Sequence, residues 1–306
     1  MTAFILRRLA SMLLVLFCVV SLTFLLSRLA PGSPFDRERT PPPWIQSRLL
    51  EKYHLSGTLW QQYTAYMGDV LHGNLRVSFR YRNRTVNELL AQTLPVTATI
   101  GLAAFLIATT AGVWLGCLAA ARHHTATDTG AMLGALFAIS IPTFVTGPLL
   151  ILIFGLKLRW LPIGGWYHWT DIILPAITLA GPYAAYIARI MRTSMLDVLG
   201  QDFIRTARAK GLAERRVVYK HAIKVAILPV VSFLGPLAAN LLTGSIVIET
   251  IFNIPGAGSF FVNSILNKDM FLLCGVTIVY CTLLVVLNLC VDVAYTFLDR
   301  RIKLYE

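Results

Sequence analysis

Six stretches without a single Asp, Glu, Lys or Arg run through this chain of 306 residues: Leu9–Ser27, Leu89–Ala121, Thr129–Leu156, Ile172–Ala188, Val225–Ile248 and Met270–Val291. Each reaches the roughly 17 residues that a helix needs to cross a hydrocarbon core. In lipid, a continuous apolar segment must satisfy its own backbone N–H and C=O groups, which a helix does within itself. The expected fold class is therefore all-α: a polytopic membrane protein with six transmembrane helices. With 56% hydrophobic and 14% charged residues, the composition lies well outside that of soluble domains.

An even number of spans puts both termini on one side, and the basic residues of short loops decide which. With the N-terminus inside, fifteen of the 27 Lys and Arg residues fall on inner segments: Arg7 and Arg8, Arg122, nine from Arg189 to Lys224, and Arg300, Arg301 and Lys303. The two short outer loops hold only Lys157, Arg159 and Lys268. The orientation is N-in, C-in. The first apolar run exceeds a signal-peptide core, and Pro31 follows the best cleavage point, so it is expected to stay as a membrane helix. The net charge of +12 sits where topology and anionic headgroups would put it, and no zinc-finger spacing or aromatic–basic stripe points to nucleic acid. Cys18, Cys117, Cys274, Cys281 and Cys290 all fall in spans without a C-x-x-C, and read as small packing residues. No clustered ligand set suggests a metal.

The large extramembrane region from Pro31 to Thr93 faces outside. It opens with PGSP and PPP turns and then shows helical apolar spacing over Trp44–His54 and Thr58–Leu71. Ile141-Pro142 and Gly147-Pro148 in the third span, and Leu228-Pro229 and Gly235-Pro236 in the fifth, predict bends. Ser140, Thr143, Asn240 and Ser245, with Thr146 and Thr243, are candidate polar residues of a translocation path; small polar groups serving helix packing explain them equally well. Glu249 and Asp292 are expected at span edges, where a carboxylate is inexpensive.

Between the fourth and fifth spans lies the segment with the most information about function, DFIRTARAKGLAERRVVYKHAIKVAILP, Asp202 to Pro229. Asp202 is a candidate N-cap, and Gly211 suits the left-handed residue that ends a helix. Phe203, Ile204 and Ala207 are expected on one face of the helix between them, with Arg205 and Arg208 on another. A second amphipathic helix comes after Gly211. Its apolar stripe is Val217, Val218, His221, Ala222 and Val225, and its basic row is Arg216, Lys220 and Lys224.

The run from Arg205 to Leu212, RTARAKGL, resembles the cytoplasmic motif of bacterial ABC importer permeases in the form found in the peptide/nickel-type, binding-protein-dependent subgroup. Against the general Glu-Ala-Ala-x3-Gly form, Ala207 and Gly211 match and Arg205-Thr206 replace Glu-Ala. Leu29-Ala30-Pro31-Gly32-Ser33-Pro34, Lys52-Tyr53-His54-Leu55, Glu249-Thr250 and Pro255-Gly256 carry the same resemblance along the whole chain. It implies a type I ABC importer permease fold in the bacterial inner membrane. The division it implies is residues 1–30 as N-terminus and first helix, 31–94 as a periplasmic loop with short helices, and 95–306 as a permease core of five spans, including a coupling loop at 189–228.

The resemblance further implies coupling to an ATPase through Phe203, Ile204, Arg205, Thr206, Ala207, Arg208, Lys210, Gly211 and Leu212, with Glu249, Thr250, Pro255 and Gly256 as periplasmic gate candidates. It implies partners: a homologous second permease, two cytoplasmic ATPase subunits, a periplasmic substrate-binding protein and membrane lipid. This chain itself would bind no cofactor and hold no catalytic residue, with ATP and Mg on the ATPases. The implied cargo is oligopeptide, with dipeptides, nickel or glutathione as alternatives within the family. The absence of G-x-x-x-x-G-K-[ST] agrees with a motor in another chain. An ion-coupled carrier would require buried acids that the spans lack, and an intramembrane protease would require a histidine near a membrane serine, whereas all six histidines fall outside the spans.

Overall fold

The computed structural model describes residues 2–29, 55–81 and 83–298 and the single positions 42, 44, 48, 51 and 53. The PGSP turn, most of the expected Trp44–His54 helix and the basic residues at 300–303 lie outside the described residues, as does the side chain of Asp292. Among the described residues the chain is helices and connections, with one isolated bridge between Val77 and Thr85. In order, the helices are α1 (Thr2–Leu29), α2 (Leu59–Leu71), α3 (Val86–Ala121), α4 (Ala126–Ser140), α5 (Thr143–Lys157) and α6 (Trp169–Leu199). Then come α7 (Asp202–Ala209), α8 (Glu214–Ala226), α9 (Leu228–Leu242), α10 (Ile246–Ile251), α11 (Gly258–Leu266) and α12 (Met270–Leu298). Among the described residues four helices are long and apolar enough to cross a membrane, or up to six spans if each of two bent pairs counts as one.

The bends have local causes. Proline clashes with a helical residue before it, and Ile141 before Pro142 takes an extended backbone, so α4 stops and α5 leaves at 105°. Pro148 stays inside the helix, and the spiral widens to i→i+5 turns over Ile151–Lys157. α8 and α9 meet at 53°, with Pro229 in the first turn of α9, where its missing N–H costs nothing. The fifth apolar interval does not run unbroken to Ile248 as expected. It stops at Leu242, Gly244 turns the chain at φ +89°, and α10 begins after Ser245.

The chain forms two compact units. One comprises Met1–Val96 and Gly256–Val285. Its core is a run of aromatic rings: Phe24 against Tyr63 and Tyr66, Tyr66 stacked on Phe271, and Phe79 against Phe271 at 4.9 Å. α2 starts as the sequence predicts, with a capping box in which Thr58 and Gln61 satisfy each other's backbone N–H. Asp269, wholly buried, accepts from the Ser78 hydroxyl and the Arg80 and Leu272 N–H groups, which ties the 78–80 turn to the start of α12.

The other unit comprises Thr97–Pro255 and Val286–Glu306. α3 runs through it with a small-residue face, Gly101, Ala104, Ala108, Gly112 and Gly116, spaced at helical period. A Cβ on Gly112 would lie 2.7 Å from the Ala184 carbonyl oxygen, and one on Gly116 would lie 2.6 Å from that of Ala188, both on α6. The Gly112-x3-Gly116 spacing lets the two backbones meet, as small-xxx-small interfaces do in membranes. Gly112→Leu therefore has to push α6 away. The expected cost is about 1–3 kcal/mol or more, read as a lowered unfolding midpoint in mild detergent, whereas Gly130→Leu, where a Cβ meets nothing within 4 Å, should leave the midpoint in place.

Candidate functional site

α6 continues as helix through Leu199, into the expected coupling loop at 189–228. Gln201, in extended conformation, occupies the N-cap of α7; Asp202 is the first helical residue and makes no cap bond. Its carboxylate lies 3.5 Å from Arg205 instead, and its charge still suits the N-terminal end of the helix dipole. The far end is as expected. Gly211 stands at φ +75°, its N–H donates to the Arg208 carbonyl at 2.9 Å, and the Leu212 N–H reaches back to Ala207 at 3.3 Å. Those two bonds are the Schellman closure, and they require a left-handed residue at Gly211.

The expected apolar face of α7 divides. Ile204 and Ala207 are buried in the chain's own structure, whereas Phe203, turned away by 100°, is 41% exposed. Arg205, Thr206, Arg208 and Lys210 are exposed, and Leu212 is half-buried. Arg208 is already matched: it holds Glu214 through Nε at 3.0 Å and Nη2 at 2.6 Å, and this bond raises the pKa of its guanidinium above the ordinary value. Arg205 and Lys210 therefore supply the less committed positive charge of this surface.

α8 widens to i→i+5 turns over Val217–Ala222, which rotates the residues beyond Ala222 to a new facing. Val217, Val218 and Ala222 are buried as expected, but His221 is half-buried and Val225 is exposed. The basic row of Arg216, Lys220 and Lys224 faces outward.

A cluster with no signature in the sequence holds α4 to α6. Buried Asp128, in the first turn of α4, receives Arg192 in a bidentate pair, Nε to Oδ1 at 2.6 Å and Nη2 to Oδ2 at 2.7 Å. The His124 N–H also donates to it at 3.3 Å, and His123 Nδ1 lies 2.9 Å away. Nothing local in sequence joins positions 128 and 192. The Gly112-x3-Gly116 pattern, by contrast, is a local signal that could have located the α3–α6 contact.

Of the path candidates, Ser140 ends α4 and Thr143 begins α5, flanking the Pro142 bend. Asn240, exposed on α9, donates to the Tyr183 hydroxyl of α6 at 2.6 Å. Ser245 caps α10 by accepting the Ile248 N–H at 3.4 Å. Thr146 and Thr243 bond to carbonyls of their own helices.

Among the gate candidates, Glu249 is buried in α10, where its carboxylate accepts from Thr97 Oγ1 of α3 at 2.8 Å, after the Gly244 turn brings α10 against that helix. Thr250 and Pro255 are exposed and Gly256 is buried.

Among the described residues no group of three His, Cys, Asp or Glu side chains could hold a metal ion. All five cysteines are free.

Helices of membrane-spanning length, with two further helix pairs bent at prolines, and a charged helix–glycine–helix excursion are features of an integral membrane protein. Residues 112–304 match the family described as "Binding-protein-dependent transport system inner membrane component", and the chain belongs to that family, whose place is the inner membrane. It is 45% identical over 305 residues, 99% of this chain and 100% of the relative, to the oligopeptide transport system permease protein OppB of Salmonella typhimurium. It is 40% identical over 304 residues, again 99% of this chain and 100% of the relative, to the dipeptide transport system permease protein DppB of Lactococcus lactis. A solved structure of the MetNI methionine ABC transporter in an inward-facing conformation superposes with a TM-score of 0.58 at 16% identity, covering 69% of this chain and 97% of that one; the two share a fold.

Proposed function

We propose that this chain is one of two permease subunits of an ATP-driven importer of oligopeptides. It would receive its cargo from a periplasmic binding protein and take its motion from two cytoplasmic ATPases that hold the ATP and Mg. The 45% identity to an oligopeptide permease along the full chain supports this reading. Dipeptides are the second reading, favoured by the dipeptide permease at 40%.

The observation that carries the coupling role is the construction of α7. A two-turn helix is fixed from below by buried Ile204 and Ala207 and closed by Gly211, and it offers Phe203, Arg205 and Lys210 outward. Such a helix moves as one body with the chain beneath it, so an ATPase that grips it pulls on α6 and α8 together. Thr206, Arg208 and Leu212 would shape that body rather than bind the motor. Glu249, Thr250, Pro255 and Gly256 are proposed for the outer gate, and Ser140, Thr143, Asn240 and Ser245 for the path.

Gly211→Glu tests the coupling. A Cβ at Gly211 meets nothing within 4 Å, so the fold loses only the left-handed backbone preference, about 1–2 kcal/mol. In cells carrying the partner subunits, uptake of a labelled peptide should fall to background while the chain remains inserted at normal abundance; normal uptake would rule the coupling out. Competition by peptides of two to eight residues decides between the two cargo readings.

A further inference from the structure

The unit formed by residues 1–96 and 256–285 holds two cavities that share a single cation. The first, about 370 Å³, is lined by Leu26, Phe261, Ile265 and Leu273 together with Arg28 and Lys268. The second, about 350 Å³, is lined by Phe17, Phe24, Leu25, Leu59, Trp60 and, again, Arg28. The remaining polar pair of the second cavity is satisfied, with Ser21 Oγ 2.6 Å from Tyr63 Oη. Among the described residues no acid lines either cavity. Asp269, next to Lys268 in sequence, is committed to Ser78, Arg80 and Leu272.

Arg28 Nε is buried without a hydrogen-bond partner, and neither Arg28 nor Lys268 has an ion pair among the described residues. Arg28 is half-buried, and a guanidinium N–H withdrawn from water without an acceptor is costly, so this position favours an anion. Its depth agrees. Arg8 and Arg28 flank the uncharged stretch of α1, about 30 Å apart at 1.5 Å per residue, the thickness of the hydrocarbon core. Trp60, 70% exposed, suits the interfacial aromatic belt at the same level.

We propose that this unit binds one anionic, two-chain membrane lipid, its phosphate between Arg28 and Lys268 and one acyl chain along each cavity. Charge selects the head and the paired apolar slots select the tails. Neither a free phosphate nor a single-chain detergent would fill both.

The test uses the full chain in mild detergent, with native mass spectrometry against phosphatidylglycerol and phosphatidylcholine of identical chains. One phosphatidylglycerol per chain should be retained in preference to phosphatidylcholine. Arg28→Ala and Lys268→Ala should each cut the preference about fivefold, and Arg28→Lys should keep most of it. Phosphatidylglycerol brominated on its acyl chains should quench a component of the tryptophan emission that Trp60→Phe removes, a readout independent of how well the alanine variants fold. Equal retention of the two lipids, a preference unchanged in both alanine variants, or quenching indifferent to Trp60→Phe would each overturn the proposal.

Discussion

Asp128→Ala is expected to lower the unfolding midpoint of the detergent-solubilised chain by about 10 °C. The carboxylate is buried, and Arg192, 23% exposed, has both of its bonding edges turned on it. Removing one partner of a buried ion pair strands the other charge, which costs about 3–5 kcal/mol. For a chain of this size each kcal/mol moves the midpoint by about 2–4 °C. The loss also frees the turn at 122–125, which Asp128 holds through the His124 N–H. Arg192→Met on its own leaves Asp128 with His123 and the backbone bond. The double variant Asp128→Ala/Arg192→Met should recover much of the loss, since an apolar pair of similar volume replaces a buried ion pair at little cost. His123→Ala, at a side chain 36% exposed, should cost less than about 1 kcal/mol. If the double variant is no more stable than Asp128→Ala, the stranded guanidinium is not the source of the damage.

The contrast between what was legible and what was not tracks the range of the interactions. The spans were readable because an uncharged run of 17 or more residues has few folded solutions, and the bend at Pro142 because a residue before proline avoids the helical region. Gly211 was readable for the same reason: its left-handed backbone and Schellman bonds depend only on residues 207–212. Gln201 rather than Asp202 became the N-cap because α6 continued to Leu199, and where one helix stops depends on packing that a local pattern does not contain. The division of the Phe203–Ala207 face, the rotation of Val225 by the widened turn and the Arg208–Glu214 bond likewise reflect how α7 and α8 lie on the rest of their unit. The burial of Glu249 was not readable, because the break at Gly244 that turns α10 inward depends on the approach of α3.

That break makes the second prediction. Gly244 stands at φ +89°, where a side chain is disfavoured, and an added Cβ would overlap Thr97 Cγ2 and lie 2.7 Å from Glu249 Oε1. Gly244→Val thus combines a β-branched residue at positive φ, about 1–2 kcal/mol, with overpacking of about 1–3 kcal/mol, and it drives apart the Thr97–Glu249 bond. The midpoint should fall by about 5–15 °C, with Gly244→Ala at the lower end of that range. Two variants at Thr97 separate the contributions. Thr97→Val keeps the volume and removes the hydroxyl that Glu249 accepts from, costing about 1–3 kcal/mol at a buried carboxylate. Thr97→Ser removes the clashing methyl and keeps the hydroxyl, so Gly244→Ala/Thr97→Ser should recover part of what Gly244→Ala loses. Recovery would establish that the turn at Gly244, the hydroxyl of α3 and the carboxylate of α10 form one fitted unit, held shut by contact rather than by the backbone of the break alone. If Gly244→Ala leaves the midpoint unmoved, α10 is free to withdraw from α3, and Glu249 is then a carboxylate that can leave its pocket as the transporter changes state.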